Sequence, residues 1–199
     1  LNPLFTLVLL IAACGFFALA EMALAASRKS RLQQLADAGD KAAACALAIK
    51  SHPSRFIAAT QTGLTTASLL SGIYGEEALA AHLQALIDRY WPVLAAVSSD
   101  IAFALTITLV TAAAIVFGEI IPKRIALAYP EEVAKGVAPF MRWFIKLLEP
   151  AIRLLSWSAD LILNLLPFRA APAVSGVEDI LALVDEGELS GSIGKEQSH

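Results

Sequence analysis

Charge is scarce in this chain: Asp, Glu, Lys and Arg make up 17% of its residues against 57% hydrophobic, and the mean hydropathy is +0.66. A water-soluble domain is usually less apolar, so the composition argues for a membrane protein. With a net charge of -3, no basic cluster interleaved with aromatics and no phosphate-cradling glycine loop, neither a nucleic-acid surface nor a nucleotide loop is expected. Cysteine is limited to Cys14, within an apolar run, and Cys45, in an amphipathic segment, which argues against a disulfide or a thiolate metal site. His52 and His82 fall in separate connections and no zincin or serine-hydrolase spacing occurs, so an enzyme is not expected. No basic region precedes the first apolar run and no small-x-small site follows it, which argues against a cleavable signal.

What the chain has instead is three long apolar stretches. Leu4 to Ser27 contains Glu21 as its only charge, Phe56 to Gly75 contains none, and Ile101 to Gly118 contains none before Glu119. At 1.5 Å per helical residue each comes close to spanning a hydrocarbon core of about 30 Å. The expectation is an all-α membrane protein with spanning helices at about 4–27, 56–75 and 101–122. Arg28, Lys29, Arg31, Lys41, Lys50 and Arg55 crowd the first connection, whereas the second has only Arg89. Basic loops stay in the cytoplasm, so the amino terminus is expected outside and the carboxyl terminus inside, in the plasma (inner) membrane.

Pro130-Glu131-Glu132 reads as a helix start, followed by Phe140, Trp143, Phe144, Leu147 and Leu148 at helical spacing among basic residues. This predicts an amphipathic juxtamembrane belt over about 131–166, restarted at Pro150. Arg153 and Asp160 suit an interfacial belt better than a fourth crossing. An Ala/Pro linker at 169–174 then leads to a short acidic helix, Glu178 to Asp185, which divides the chain into a membrane part, 1–168, and a cytoplasmic start, 169–199. A chain that opens on Leu1 and closes on Ser-Gly-Ser-Ile-Gly reads as a piece of a longer protein.

Glu119 is the most informative residue, because a carboxylate at the edge of a lipid-buried helix costs at least ~2.5 kcal/mol and marks an ion path, a proton relay or a buried pair. Pro122 has no N–H for the Gly118 carbonyl, so a bare oxygen is expected beside the acid, at a point where the helix kinks. Gln61, Thr65, Ser68 and Gly72 share one face of the second helix, with Ser71 nearby, and Thr108 and Thr111 lie toward the side of Glu119 on the third. Glu21 and Ser27 are the polar groups of the first. Each has a plainer role: hydroxyls pack helices together, Lys123 pairs with Glu119 at i,i+4, and Arg28 snorkels to Glu21.

Phe16-Phe17-Ala18-Leu19-Ala20-Glu21-Met22-Ala23-Leu24, Ser27-Arg28-Lys29-Ser30-Arg31-Leu32, Ala36-Asp37-Ala38-Gly39-Asp40, Gly118-Glu119-Ile120-Ile121-Pro122-Lys123 and Tyr129-Pro130-Glu131, in this order, resemble the CNNM/CorC transmembrane domain. The resemblance covers nearly the whole chain. It implies three spanning helices and a juxtamembrane belt in a homodimer, Mg2+ export coupled to Na+ entry, and cytoplasmic CBS domains that bind ATP and would follow this chain. It also implies a metal site at Glu119, Ser27 and Ser68, to which the bare Gly118 carbonyl would add an oxygen. Gln61-Thr62-Gly63-Leu64 and Ser27-Arg28-Lys29 look more like a bacterial branch linked to polyamine export. The reading is therefore an alternating-access carrier that exports Mg2+ against Na+ entry around Glu119, favoured over a polyamine by the few intramembrane aromatics near the acid, with a polyamine exporter or a non-transporting scaffold or sensor as alternatives.

Overall fold

The computed structural model describes residues 2–165, and every element within them is helical. Helix α1 (Pro3–Ala26) starts where its sequence supplies both entry signals, Pro3 in the first turn and an Asn2 side chain that accepts the Leu4 N–H at 3.1 Å. The basic connection forms two short helices, α2 (Lys29–Asp37) and α3 (Lys41–Lys50), joined by a turn in which Gly39 takes φ +95°. Asp40 caps α3 by accepting the N–H groups of Ala42 and Ala43 at 2.9 and 3.1 Å.

Helix α4 (Pro53–Tyr90) corrects the expected end of the second helix at Gly75. Glu76 and Glu77 end an uncharged stretch, yet they are good helix formers, and no Gly or Pro follows until Pro92. Ala78 and Ile87 are buried on this extension, so packing carries it well past the uncharged segment. A 3-10 turn (Pro92–Val97) leads to α5 (Ser98–Ile115), a π turn (Val116–Ile120) and α6 (Ile121–Ala128). The third stretch thus begins before Ile101 and runs through Pro122 to Ala128. By length and composition, two helical stretches among the described residues are able to cross a membrane, Pro3–Ala26 and Pro92–Ala128. Helix α4 has the length, but its run of Thr, Ser, Gln and Gly makes it less apolar.

Helix α7 (Pro130–Leu165) opens with Glu131 and Glu132 in its first turn, where acids complement the helix dipole. It does not restart at Pro150. Pro139 and Pro150 both sit inside it, each removing one N–H donor while the neighbouring bonds continue the helix. Phe140 and Phe144 meet Phe16 and Phe17 of α1 at 4.9 Å between ring centroids in each pair, and Ala134, Ala138 and Met141 are fully buried. Burying Leu24, Leu32 or Met141 contributes roughly 1.5–3 kcal/mol each.

Polar contacts fix the start of α7 to the short helices. Lys135 lies 3.3 Å from Asp40 and 3.2 Å from Glu132, and Glu131 accepts the Arg28 N–H at 3.3 Å. The Ala43 N–H first, with Lys135 and the Ala42 N–H behind it, holds the Asp40 carboxyl below its ordinary value, while Glu132 and Asp40 raise that of Lys135. Residues 1–153 form one unit and a second begins at Leu154; the acidic helix and linker expected beyond Leu165 lie outside the described residues.

Candidate cation site

The π turn that carries Glu119 packs against α1. Its backbone widens by one residue, and the Ile121 N–H bonds the Val116 carbonyl. In that register the N–H missing at Pro122 would have served Phe117; in the α register it would have served Gly118. The lost donor thus falls between two carbonyls rather than on Gly118 alone. A Cβ on Gly15 would stand 3.2 Å from the Phe117 oxygen and 3.2 Å from Pro122 Cγ, and a Cβ on Gly118 would stand 3.0 Å from Cys14 Cβ. Two glycines therefore let α1 touch the π turn almost backbone to backbone.

Beside this contact lies a cleft of about 200 Å³ bounded by α1, α4, α5 and the π turn. Cys14, Ser68, Ser71, Thr111, Gly118 and Glu119 reach it, among apolar walls that include Leu64, Val110 and Ile115. Ser71 is buried and donates to the Ala67 carbonyl at 2.8 Å, leaving its oxygen lone pairs for a cation. Ser68 Oγ and Cys14 Sγ stand 3.5 Å apart. Glu119 has 45% of its side chain exposed, and Lys123 Nζ donates to its Oε1 at 2.6 Å, the i,i+4 pair the sequence allowed. An incoming ammonium would exchange with that of Lys123 on the same carboxylate.

The other polar residues of the expected pathway separate. Gln61 and Thr65 are exposed and face each other across one turn, with Gln61 Nε2 3.5 Å from Thr65 Oγ1, and Thr108 donates to the Ala104 carbonyl at 2.8 Å; none of the three lines the cleft. Ser27 is buried at the end of α1, where its hydroxyl donates to the Leu24 carbonyl at 3.1 Å. It lies twelve residues beyond Gly15, about 18 Å along the helix, and does not line the Glu119 cleft. Its carbonyl, with those of Leu24 and Ala25, accepts Lys50 Nζ at 2.5, 2.7 and 3.1 Å. Glu21 lines a different cavity. Cys14 was not foreseen in the cleft, although the adjacent small pair Cys14-Gly15 is the kind of signal that marks close helix approach.

The family description "Cyclin M transmembrane N-terminal domain" matches residues 5–197. This chain belongs to the CNNM/CorC family. It is 35% identical over 193 residues to UPF0053 protein sll0260 of Synechocystis, covering 96% of this chain and 42% of that protein. It is 35% identical over 209 residues to the polyamine export protein of Haemophilus influenzae, covering 100% of this chain and 45% of the relative. To the polyamine export protein of Escherichia coli K12 it is 33% identical over 199 residues, 99% of this chain and 44% of the other. The chain spans less than half the length of these relatives.

Proposed function

We propose that this domain is the membrane part of a cation exporter and that the passenger binds in the Glu119 cleft, with a polyamine as the favoured passenger. One observation carries this: the carboxylate facing the cleft already holds a primary alkylammonium, that of Lys123, and the end of a polyamine is the same chemical group. The passenger's amine takes the place of Lys123 on Glu119, its N–H groups reach Ser68, Ser71 or Thr111, and its methylenes lie along Leu64, Val110 and Ile115. Two relatives that align with nearly all of this chain are polyamine export proteins, which supports the same passenger.

Mg2+ export driven by Na+ entry is the second reading. It is favoured by the hydroxyls beside Glu119 and by a cleft large enough for an ion that keeps several waters of about 30 Å³ each. Against it, no group of three or more His, Cys, Asp or Glu side chains among the described residues is placed to hold a metal, so the ion would rest on one carboxylate and neutral dipoles. Ser27 as a ligand would require a large rearrangement of the end of α1.

In this reading α1, α4 and the Pro92–Ala128 segment cross the plasma membrane with the amino terminus outside, α7 lies on the inner surface, and two copies associate. The π turn and Pro122 form the hinge on which the cleft faces either side in turn. ATP acts only through CBS domains that would follow this chain. Proteoliposomes holding the full-length protein, loaded with radiolabelled spermidine or with Mg2+ and a reporter dye, test it. Spermidine flux exceeding that of Mg2+ is expected; the reverse order installs the second reading, and absence of both fluxes leaves a scaffold or sensor.

A further inference from the structure

A second carboxylate cavity lies deeper along the same helix seam. It measures about 370 Å³ and is lined by Glu21 and Leu24 of α1, Lys50 of α3, and Pro53, Phe56 and Ile57 of α4. Glu21 is half-buried and, among the described residues, has no hydrogen-bond or ion-pair partner. The neighbouring Lys50 does not hydrogen-bond to it, because all three of its ammonium donors are committed to the carbonyls of Leu24, Ala25 and Ser27. Arg28, the expected snorkelling partner, forms no ion pair with it. An acid on a lipid-crossing helix, facing a largely apolar cavity and unpaired, calls for a cation with a hydrocarbon body.

The two cavities also share an alignment. Cys14, in the Glu119 cleft, and Glu21 are seven residues apart on α1, within about 20° of the same face and about 10 Å apart along the axis. On α4, Ile57 of the lower cavity and Leu64 of the upper have the same seven-residue relation, and Gln61 stands between them on that face.

Resting on the proposal that the domain carries a polyamine-like cation, we infer that the Glu21 cavity is a separate site for an alkylammonium, on the cytoplasmic side of the Glu119 cleft, where the passenger's amine is first taken. Glu21 binds the ammonium, and Phe56, Ile57 and Leu24 bind the methylenes.

Equilibrium binding of radiolabelled n-alkylammonium ions from ethyl to hexyl, to the full-length protein in phosphatidylcholine nanodiscs, tests this in a Glu119→Gln background that silences the upper cleft. Affinity is expected to rise about fourfold for each methylene that becomes buried, until the cavity is filled. Adding Glu21→Gln should abolish saturable binding. Adding Ile57→Ala, which keeps the charge, should reduce the gain per methylene. Saturable binding unchanged by Glu21→Gln, or absent from the Glu119→Gln protein, would overturn the inference. Neither result touches the Glu119 proposal, which stands or falls on flux in the protein with Glu21 intact.

Discussion

Adding one methyl at Gly118 probes the contact that brings α1 to the π turn. A Cβ there stands 3.0 Å from Cys14 Cβ and 3.4 Å from the Ile11 carbonyl oxygen, whereas carbon atoms pack best at about 3.5–4.0 Å. Neither neighbour is the loose end of a side chain, so α1 and the π turn must separate by roughly half an ångström. Overpacking of this kind costs about 1–3 kcal/mol, and replacing helical glycine with alanine returns about 1 kcal/mol. Gly118→Ala is therefore expected to destabilise by up to about 2 kcal/mol. For a chain of this size that lowers the melting midpoint by up to about 8 °C, read by tryptophan fluorescence in detergent micelles. Cys14→Gly alone also destabilises, by loss of a buried side chain and of helix propensity. In the Cys14→Gly/Gly118→Ala protein the colliding carbons are gone, so the double variant should be more stable than the sum of the two losses by about 1 kcal/mol or more. Strict additivity would refute the proposed close approach of Gly118 and Cys14.

Lys50→Met should destabilise by about 1.5–3 kcal/mol, because three α1 carbonyls lose a charged donor, and chemical denaturation would measure it. Burial, opposed by Glu131, lowers the Lys50 pKa below 10.5, so the unfolded chain holds this proton more tightly; wild type should gain stability relative to Lys50→Met as pH rises through the folded pKa toward 10.5. Asp40 has the opposite charge and a depressed pKa, so its contribution is present above 3.8 and is lost as pH falls through the lower folded value. Acid unfolding curves should accordingly differ between wild type and Asp40→Ala at neutral pH and converge at the acid end. Lys123→Met should tighten spermidine binding up to about fivefold, since the internal competitor for Glu119 is gone; weaker binding in a titration would count against displacement.

Sequence alone reached α1 almost to the residue, because its apolar run begins at Leu4 and the charges that begin at Arg28 mark its exit. It missed the extension of α4, since charge at Glu76 and Glu77 reports where an uncharged stretch ends and is silent about where a helix ends. Pro150 misled for a related reason: proline removes one hydrogen bond, which a helix packed along its length tolerates. Glu119 stood out because a carboxylate is costly in lipid, and Ser68, Ser71 and Thr111 do come to the same cleft. The π turn was not legible, because a one-residue change of register leaves no periodic trace. Ser27, Gln61, Thr65 and Thr108 lie outside the cleft because helical phase gives a face but not the depth or the neighbour. The pairing of Cys14 with Gly118 depends on which helices meet, and only the tertiary packing supplies that.

Glu119→Gln keeps the shape of the side chain and removes its charge. Spermidine efflux from proteoliposomes holding wild-type or Glu119→Gln full-length protein at equal abundance is the most direct measurement. Flux is expected to fall to the protein-free background in the variant, and flux equal to wild type would show that the carboxylate beside the π turn does not hold the passenger.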